Sequence, residues 1–460
     1  MRVGLTGRAG RVVFGLAVIA TLATAILTRP PKWLSDFDQS FYITVAYDLI
    51  HHGVFSNGVF DQVDSTQQTP PPGRFFAPVY PAVVAILMKL DNRFARAVDC
   101  SVESNAGSRS SSECEVYALP AHLANVFFLT IGVLAVAFTA ELIVGVAVAF
   151  WLAGALATAA LLADSDLFSF VMIESMTFGS YSLALLALVW SLKTPTFGKF
   201  LVAGAMLGLL VLTRTGYVVL VFIVPILIIL AMRRSAKRAA GYTAGFVLAC
   251  ATVISPWMAR NALSIGHWGL TEEYGSATLI ERFAFNDMTA REFFFSFAYC
   301  LPTIGPPIVE GAFGKEAMER FVYYTPKSFF HVGRGVRDKL VEAHGRLDPL
   351  ILGIVRQELQ KKWWRHHLIS ISRGWCGQWV GGTVGVLLVP GFVLGVLMAR
   401  DTRLKLLLLY STPAFVMLGL HALIANHYTR YNLILIGPLA TGVTLIVLAI
   451  FGRRREALVR

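Results

Sequence analysis

Apolar residues along this chain fall in long uninterrupted blocks rather than at amphipathic spacing. Blocks of about 16 to 25 residues have the length that carries an α-helix across a hydrocarbon core roughly 30 Å thick. They predict spans near Val12–Leu27, Pro120–Ala140, Leu142–Leu162, Ser175–Leu192, Phe200–Leu212, Tyr217–Met232, Ala240–Trp257, Val380–Met398, Leu404–Ile424 and Asn432–Phe451. The expected fold is an all-α, multi-pass transmembrane bundle of about 10 helices, one domain over residues 1–460.

Two polar-rich connections are too long to be turns, 29–119 and 260–378. The first holds the Pro70-Pro71-Pro72 break, a short apolar stretch from Phe75 to Leu90 placed at the interface, and a polar tip from Ser104 to Glu113. The second mixes aromatic groups such as Phe293 to Phe297 and Trp363-Trp364 with charges, the pattern of interfacial amphipathic helices.

Composition agrees with a lipid solvent, since 56% of the 460 residues are hydrophobic and 15% charged. Mean hydropathy is +0.63. The net charge of +12 does not point to nucleic acid, because the basic residues sit in short clusters at the ends of apolar blocks and form no stripe. Arg2/Arg8/Arg11, Lys193/Lys199, Arg233/Arg234/Lys237/Arg238, Arg400/Arg403/Lys405 and Arg453/Arg454/Arg455 all fall on one side if the N-terminus is cytoplasmic. Both termini are then inside, and both long connections face the periplasm of a bacterial-type inner membrane. A rival reading of the first span as a signal peptide, with Ala23-Thr24-Ala25 as its cleavage site, exports the same segments.

On an oxidising outer side, Cys100 and Cys114 flank the polar tip and can form a disulfide; two free thiols, or a competing Cys300–Cys376 pair, are the alternatives.

Candidate chemistry collects on that outer side. Asp36 and Asp38 follow the first span, where they either face a cavity at the lipid surface or cap a helix. Glu174 lies inside Val171-Met172-Ile173-Glu174-Ser175-Met176, near Asp164 and Asp166, and a carboxylate at membrane depth is costly enough to suggest function over snorkelling. Arg214 interrupts an apolar stretch, and Arg430 sits in the short connection His427-Tyr428-Thr429-Arg430-Tyr431. Their planar forks suit a phosphate, or anchor headgroups. Ser255-Pro256-Trp257-Met258-Ala259-Arg260-Asn261 ends the seventh span; an aromatic belt explains its Trp257 but not the whole string. There is no Walker loop, dinucleotide fingerprint or zinc-type spacing, and the pairs His51-His52 and His366-His367 read as surface residues.

In this order the stretches resemble the GT-C glycosyltransferases, in the branch of the protein O-mannosyltransferases and the bacterial aminoarabinose and galacturonic acid transferases of lipid A and core. Asp38, Tyr42, Ala46 and Gly53 fall in the rhythm of that branch after its first span, with Gln39 where it has a Glu. Pro71-Pro72, Tyr80-Pro81, Glu174-Ser175, Pro256 to Asn261 and Arg430-Tyr431 look like its later elements. The resemblance implies a polyprenyl-phosphate sugar donor, an acceptor (lipid A or core, another glycan or a protein) on the outer leaflet, and an inverting displacement that needs no nucleotide or redox cofactor. It implies catalytic roles among Asp38, Asp36 and Glu174, donor-phosphate contacts from Arg260, Arg430 and Arg214, and substrate contacts from Tyr42, Asn261 and Tyr431. A Gln39→Ala change is expected to be mild. The rivals are a transporter or flippase, which calls for a charged path and inverted halves, and a membrane scaffold, which leaves the outer cluster without a purpose.

Overall fold

The computed structural model describes residues 7–36, 38–61, 63–271, 274–323, 325–344, 348–425 and 429–459. Phe37, the His427-Tyr428 pair and the side chains of Arg453, Arg454 and Arg455 lie outside the described residues. Every regular element described is helical. The chain begins with α1 (Arg8–Leu27), then α2 (Gln39–His51), α3 (Val79–Leu90) and α4 (Asn92–Asn105). Six helices follow: α5 (Leu119–Val144), α6 (Val148–Ala163), α7 (Glu174–Lys193), α8 (Phe197–Thr213), α9 (Leu220–Ala231) and α10 (Ala236–Ile265). The second connection folds as α11 (Tyr274–Phe283), α12 (Ala290–Tyr299), α13 (Gly305–Phe313), α14 (Lys315–Met318), α15 (Phe329–His344) and α16 (Asp348–Gly377). The last three helices are α17 (Gly382–Met398), α18 (Asp401–Ile424) and α19 (Ile436–Val459).

Each of the ten expected spans corresponds to a helix, and the chain is an integral membrane protein. Six helices among the described residues are long and apolar enough to cross alone, and a seventh crossing counts α16 and α17 as one bent pair. Three expected spans are shorter: α6, α8 and the 3-10 and α segment Thr215–Ala231. The 16 residues of α6 rise only about 24 Å, so it reaches the interface with the help of its flanking turns.

The bundle is held by close helix contacts rather than by wide apolar stripes, as lipid offers no hydrophobic gradient between helices. α8 lies along both α7 and α10, α5 along α7, and α17 along α19. At Gly204 a side chain would run into the backbone of Phe246, so α8 and α10 approach this closely only because that position is glycine.

Both long connections are folded. α2, α3 and α4 bury a cluster of their own against the starts of α5 and α7. The second connection holds two smaller clusters, around Phe285/Phe329 and Phe295/Val309. Cys100–Cys114 and Cys300–Cys376 are both disulfide-bonded, with Cα separations of 5.5 and 4.9 Å. The pairs that looked like competitors in the sequence therefore coexist. The interfacial pattern of the second connection survives as exposed Trp363 and Trp364. His366 does not meet its surface expectation: it is buried, with Nδ1 3.2 Å from Asn286 Oδ1.

Between α16 and α17 the chain bends by 112° at two consecutive glycines with positive φ, Gly381 at 76° and Gly382 at 51°. Asp164 Oδ2 accepts the Gly381 N–H at 2.9 Å and so fixes this corner to the end of α6. Asp166 pairs with Arg29 beside α1. Of the acidic group noted between the third and fourth spans, Asp164 is taken up by this corner and Asp166 by an exposed ion pair, which leaves Glu174.

Candidate functional site

α7 starts at Glu174 and ends at the basic Lys193, so one helix marks both faces of the bundle. At its first turn the Glu174 carboxylate sits where the helix dipole favours a negative charge. It is almost fully buried, at 4% exposure. Its Oε1 lies 3.9 Å from Arg214 Nη1 and 3.8 Å from Arg430 Nε. Both separations are ion-pair distances beyond hydrogen-bond reach. Oε2 is buried without a hydrogen-bond partner among the described residues.

The two arginines arrive through breaks in helical order. α8 stops at Thr213, Arg214 is extended (φ −147°, ψ 108°), and a 3-10 turn Thr215–Val219 reverses the chain. Arg430 lies in the 3-10 turn Thr429–Leu435 that opens the last span. Tyr431 stands between them, its ring centroid 4.6 Å from the Arg214 guanidinium carbon and 5.2 Å from that of Arg430. His421, at the end of α18, holds this turn through Nδ1, 2.9 Å from Asn432 Oδ1.

Asp38 occupies the N-cap position of α2, yet its side chain makes no cap hydrogen bond. Arg430 Nη2 donates to Asp38 Oδ2 at 2.5 Å instead. This decides between the two readings of the acidic stretch: the carboxylate serves the cluster, not the helix end. Tyr42, one turn further on, packs its ring on Tyr80 at 5.0 Å and Phe76 at 5.4 Å. Burial, followed by the charge of Glu174, holds its hydroxyl well above the ordinary tyrosine value, so it remains a neutral donor.

Gln39 is fully buried and bridges two segments. Its Nε2 donates to the Trp33 and Asp36 carbonyls at 3.0 and 3.3 Å, and its Oε1 accepts the Val171 N–H at 2.8 Å. The segment carrying Asp38 is thereby fixed to the one carrying Glu174. A glutamate here would turn a carboxylate toward two carbonyls, which explains the amide physically. Among the described residues, Asp36 contributes through its carbonyl and not through its carboxylate.

Arg260 and Asn261 are elsewhere. Arg260 donates to the Gly73 carbonyl at 2.5 Å, the Phe55 carbonyl at 2.7 Å and Asn261 Oδ1 at 3.0 Å. Asn261 Nδ2 reaches the Gly269 carbonyl at 2.7 Å, and Trp257 Nε1 the Leu270 carbonyl at 3.0 Å. The string expected to bind phosphate and substrate is a staple between α10 and the first outer segment. The structure thus brings together Asp38, Glu174, Arg214, Arg430, Tyr42 and Tyr431, and does not bring Arg260, Asn261 or the Asp36 carboxylate to them.

One acidic residue near this cluster carries no signal in the sequence. Glu281 of α11 is buried and accepts from Arg337 Nη1 at 2.6 Å. Burial pushes its carboxyl up to about 7 against the opposing pull of Arg337 and Arg334, with Asp338 and Asp38 adding to the rise. The next residue, Arg282, is fully buried and donates to the Ala422 carbonyl at 2.8 Å and to Ser370 Oγ at 2.9 Å. Arg282 therefore anchors the second outer segment to the end of α18, beside the turn that carries Arg430.

No family model matches the chain, and no curated protein matches it. Among solved structures it is similar to ArnT from Cupriavidus metallidurans, in a crystal structure bound to undecaprenyl phosphate. The two are 14% identical over 95% of this chain and 78% of that chain, with a TM-score of 0.39. What the site can do is therefore derived from its own residues.

Proposed function

We propose that this protein is a membrane glycosyltransferase of the GT-C kind, moving a sugar from a polyprenyl-phosphate donor to an acceptor at the outer face. The observation that carries the reading is a pair of guanidinium groups, Arg214 and Arg430, flanking the Tyr431 ring, with the carboxylates of Asp38 and Glu174 paired to them. Asp38, Glu174, Arg214 and Arg430 sum to zero charge (two negative, two positive), so a phosphate entering this cluster has cations to meet and a carboxylate beside it.

Arg430 and Arg214 would hold the donor phosphate, since an arginine fork matches phosphate oxygens. As the acceptor oxygen or nitrogen bonds to the anomeric carbon, the bond from that carbon to the phosphate oxygen breaks. The electron pair leaves with the lipid phosphate, whose growing charge the two arginines stabilise. Asp38 takes the acceptor's proton. Its contact with Arg430 links binding to chemistry: phosphate competes for the same guanidinium and frees Asp38 to act as base beside the departing group. Glu174 keeps the arginines apart, and its unpartnered oxygen suits a sugar hydroxyl. Tyr42 supplies a neutral donor, and Tyr431 a ring face for the sugar.

Sidedness is supported by the disulfides. Both lie in the two long connections, on the side of the cluster and away from the basic clusters, which fits an oxidising periplasmic space beside a cytoplasm that keeps thiols reduced.

The test is chemical: purified protein with an undecaprenyl-phosphate sugar, together with mass spectrometry of envelope lipids and glycans from a deletion strain. A sugar missing from one envelope component and restored by the wild-type gene supports the reading. An unchanged envelope and no donor turnover would remove it.

A further inference from the structure

At the opposite end of the bundle a cavity of about 590 Å³ opens between α1, α5 and α7, lined by Arg11, Phe138, Glu141, Leu186, Trp190 and Lys193 among others. Nothing in the transfer chemistry uses it. The 20 residues of α7 separate Glu174 from Lys193 by about 29 Å, the thickness of a hydrocarbon core. If the cluster around Glu174 lies at one headgroup plane, this cavity lies at the other.

Its chemistry is two-sided. Phe138, Leu186 and Trp190 form an apolar wall, and Trp190 is of the residue type that settles at a headgroup boundary. Arg11 donates to Glu141 Oε1 at 2.6 Å, and Lys193 Nζ donates to the Leu142 carbonyl at 2.5 Å. The three charges leave a net of one positive (Arg11 and Lys193 positive, Glu141 negative).

We propose that this cavity binds the phosphate headgroup of an anionic membrane lipid, with Arg11 and Lys193 as its cationic contacts and the Phe138, Leu186 and Trp190 wall against the first chain carbons. A soluble anion would leave the apolar wall unused, and a zwitterionic lipid would bring a cation toward Arg11 and Lys193. The net charge of one matches a phosphodiester such as phosphatidylglycerol. Glu141 then competes with the lipid for Arg11. The inference is independent of the glycosyltransferase reading.

The test is fluorescence quenching of the full-length protein in phosphatidylcholine nanodiscs doped with brominated phosphatidylglycerol or brominated phosphatidylcholine, with Trp190→Phe identifying the emission of Trp190. Phosphatidylglycerol should be preferred at Trp190 by about fivefold or more, the scale of one basic side chain at an anionic lipid surface. Arg11→Gln with Lys193→Gln should abolish the preference, and Glu141→Gln should raise it. A merely structural Arg11–Glu141 pair would not move the two variants in opposite directions. Competition by undecaprenyl phosphate would name the prenyl lipid as the source of the same headgroup chemistry. Equal quenching by both brominated phospholipids in the wild type would overturn the site, whether or not the protein transfers sugar.

Discussion

Gln39 Oε1 accepts the backbone N–H of Val171 at 2.8 Å, joining the segment of Asp38 to the segment of Glu174 across 132 positions of sequence. The sequence alone suggested that Gln39→Ala would be mild. The structure predicts otherwise, because the change strands the buried Val171 N–H. Each buried group left without a partner costs about 1–3 kcal/mol. Gln39→Ala should lower the melting temperature and reduce transfer, and Gln39→Glu should do no better. Wild-type thermal stability in detergent for both variants would show that this bridge is dispensable.

Arginine variants separate the cluster from the staple. Arg430→Ala and Arg214→Ala should weaken donor use by roughly 1.5–3 kcal/mol with normal protein levels, the scale of a charge-assisted hydrogen bond. Arg260→Ala should instead lower stability by a similar amount, since it abandons the Gly73 and Phe55 carbonyls, while donor affinity in the surviving protein holds. Donor titrations on detergent-purified variants, normalised to folded protein, check this. A lost donor affinity in Arg260→Ala alone would reverse the assignment.

Glu281 gives the outer segment a pH dependence with a fixed sign. Its folded value, about 7, lies above the ordinary 4.5, so between these values the folded state binds more protons than the unfolded one. Its contribution to stability is therefore present below about 4.5 and is lost as pH rises through about 7. Hydrogen exchange in α11 and α15 should quicken over that window beyond the intrinsic rate increase, and Glu281→Gln should flatten the extra change. Protection that rises with pH in the wild type would contradict the burial-driven shift.

The architecture was largely legible because lipid enforces a simple rule: apolar blocks must be helices of a set length, and all ten have helical counterparts. Their crossing lengths were less legible, since α6 and α8 rely on turns that carry no hydrophobic signal. In the site, Asp38, Glu174, Arg214 and Arg430 stood out as charges at membrane boundaries, where a charge is costly and rarely idle. Arg260 looked the same in sequence, and only the carbonyls of Gly73 and Phe55, 187 and 205 positions away, reveal its structural use. Glu281 gave no signal because its significance arises from burial and from the approach of α15, both tertiary effects. Gln39 was illegible for the same reason: its three partners, at Trp33, Asp36 and Val171, are set by tertiary packing.

In the proposed mechanism Asp38, held by Arg430, is the base released when donor phosphate binds. Asp38→Asn keeps the shape and removes the basicity, so the most direct measurement is single-turnover transfer by purified Asp38→Asn, alongside its affinity for donor. Base catalysis is typically worth about 100-fold to 10,000-fold. A loss of that order in rate is expected, with donor affinity unchanged or higher because Arg430 has one anionic partner fewer to leave. Transfer at near wild-type rate by Asp38→Asn would contradict it.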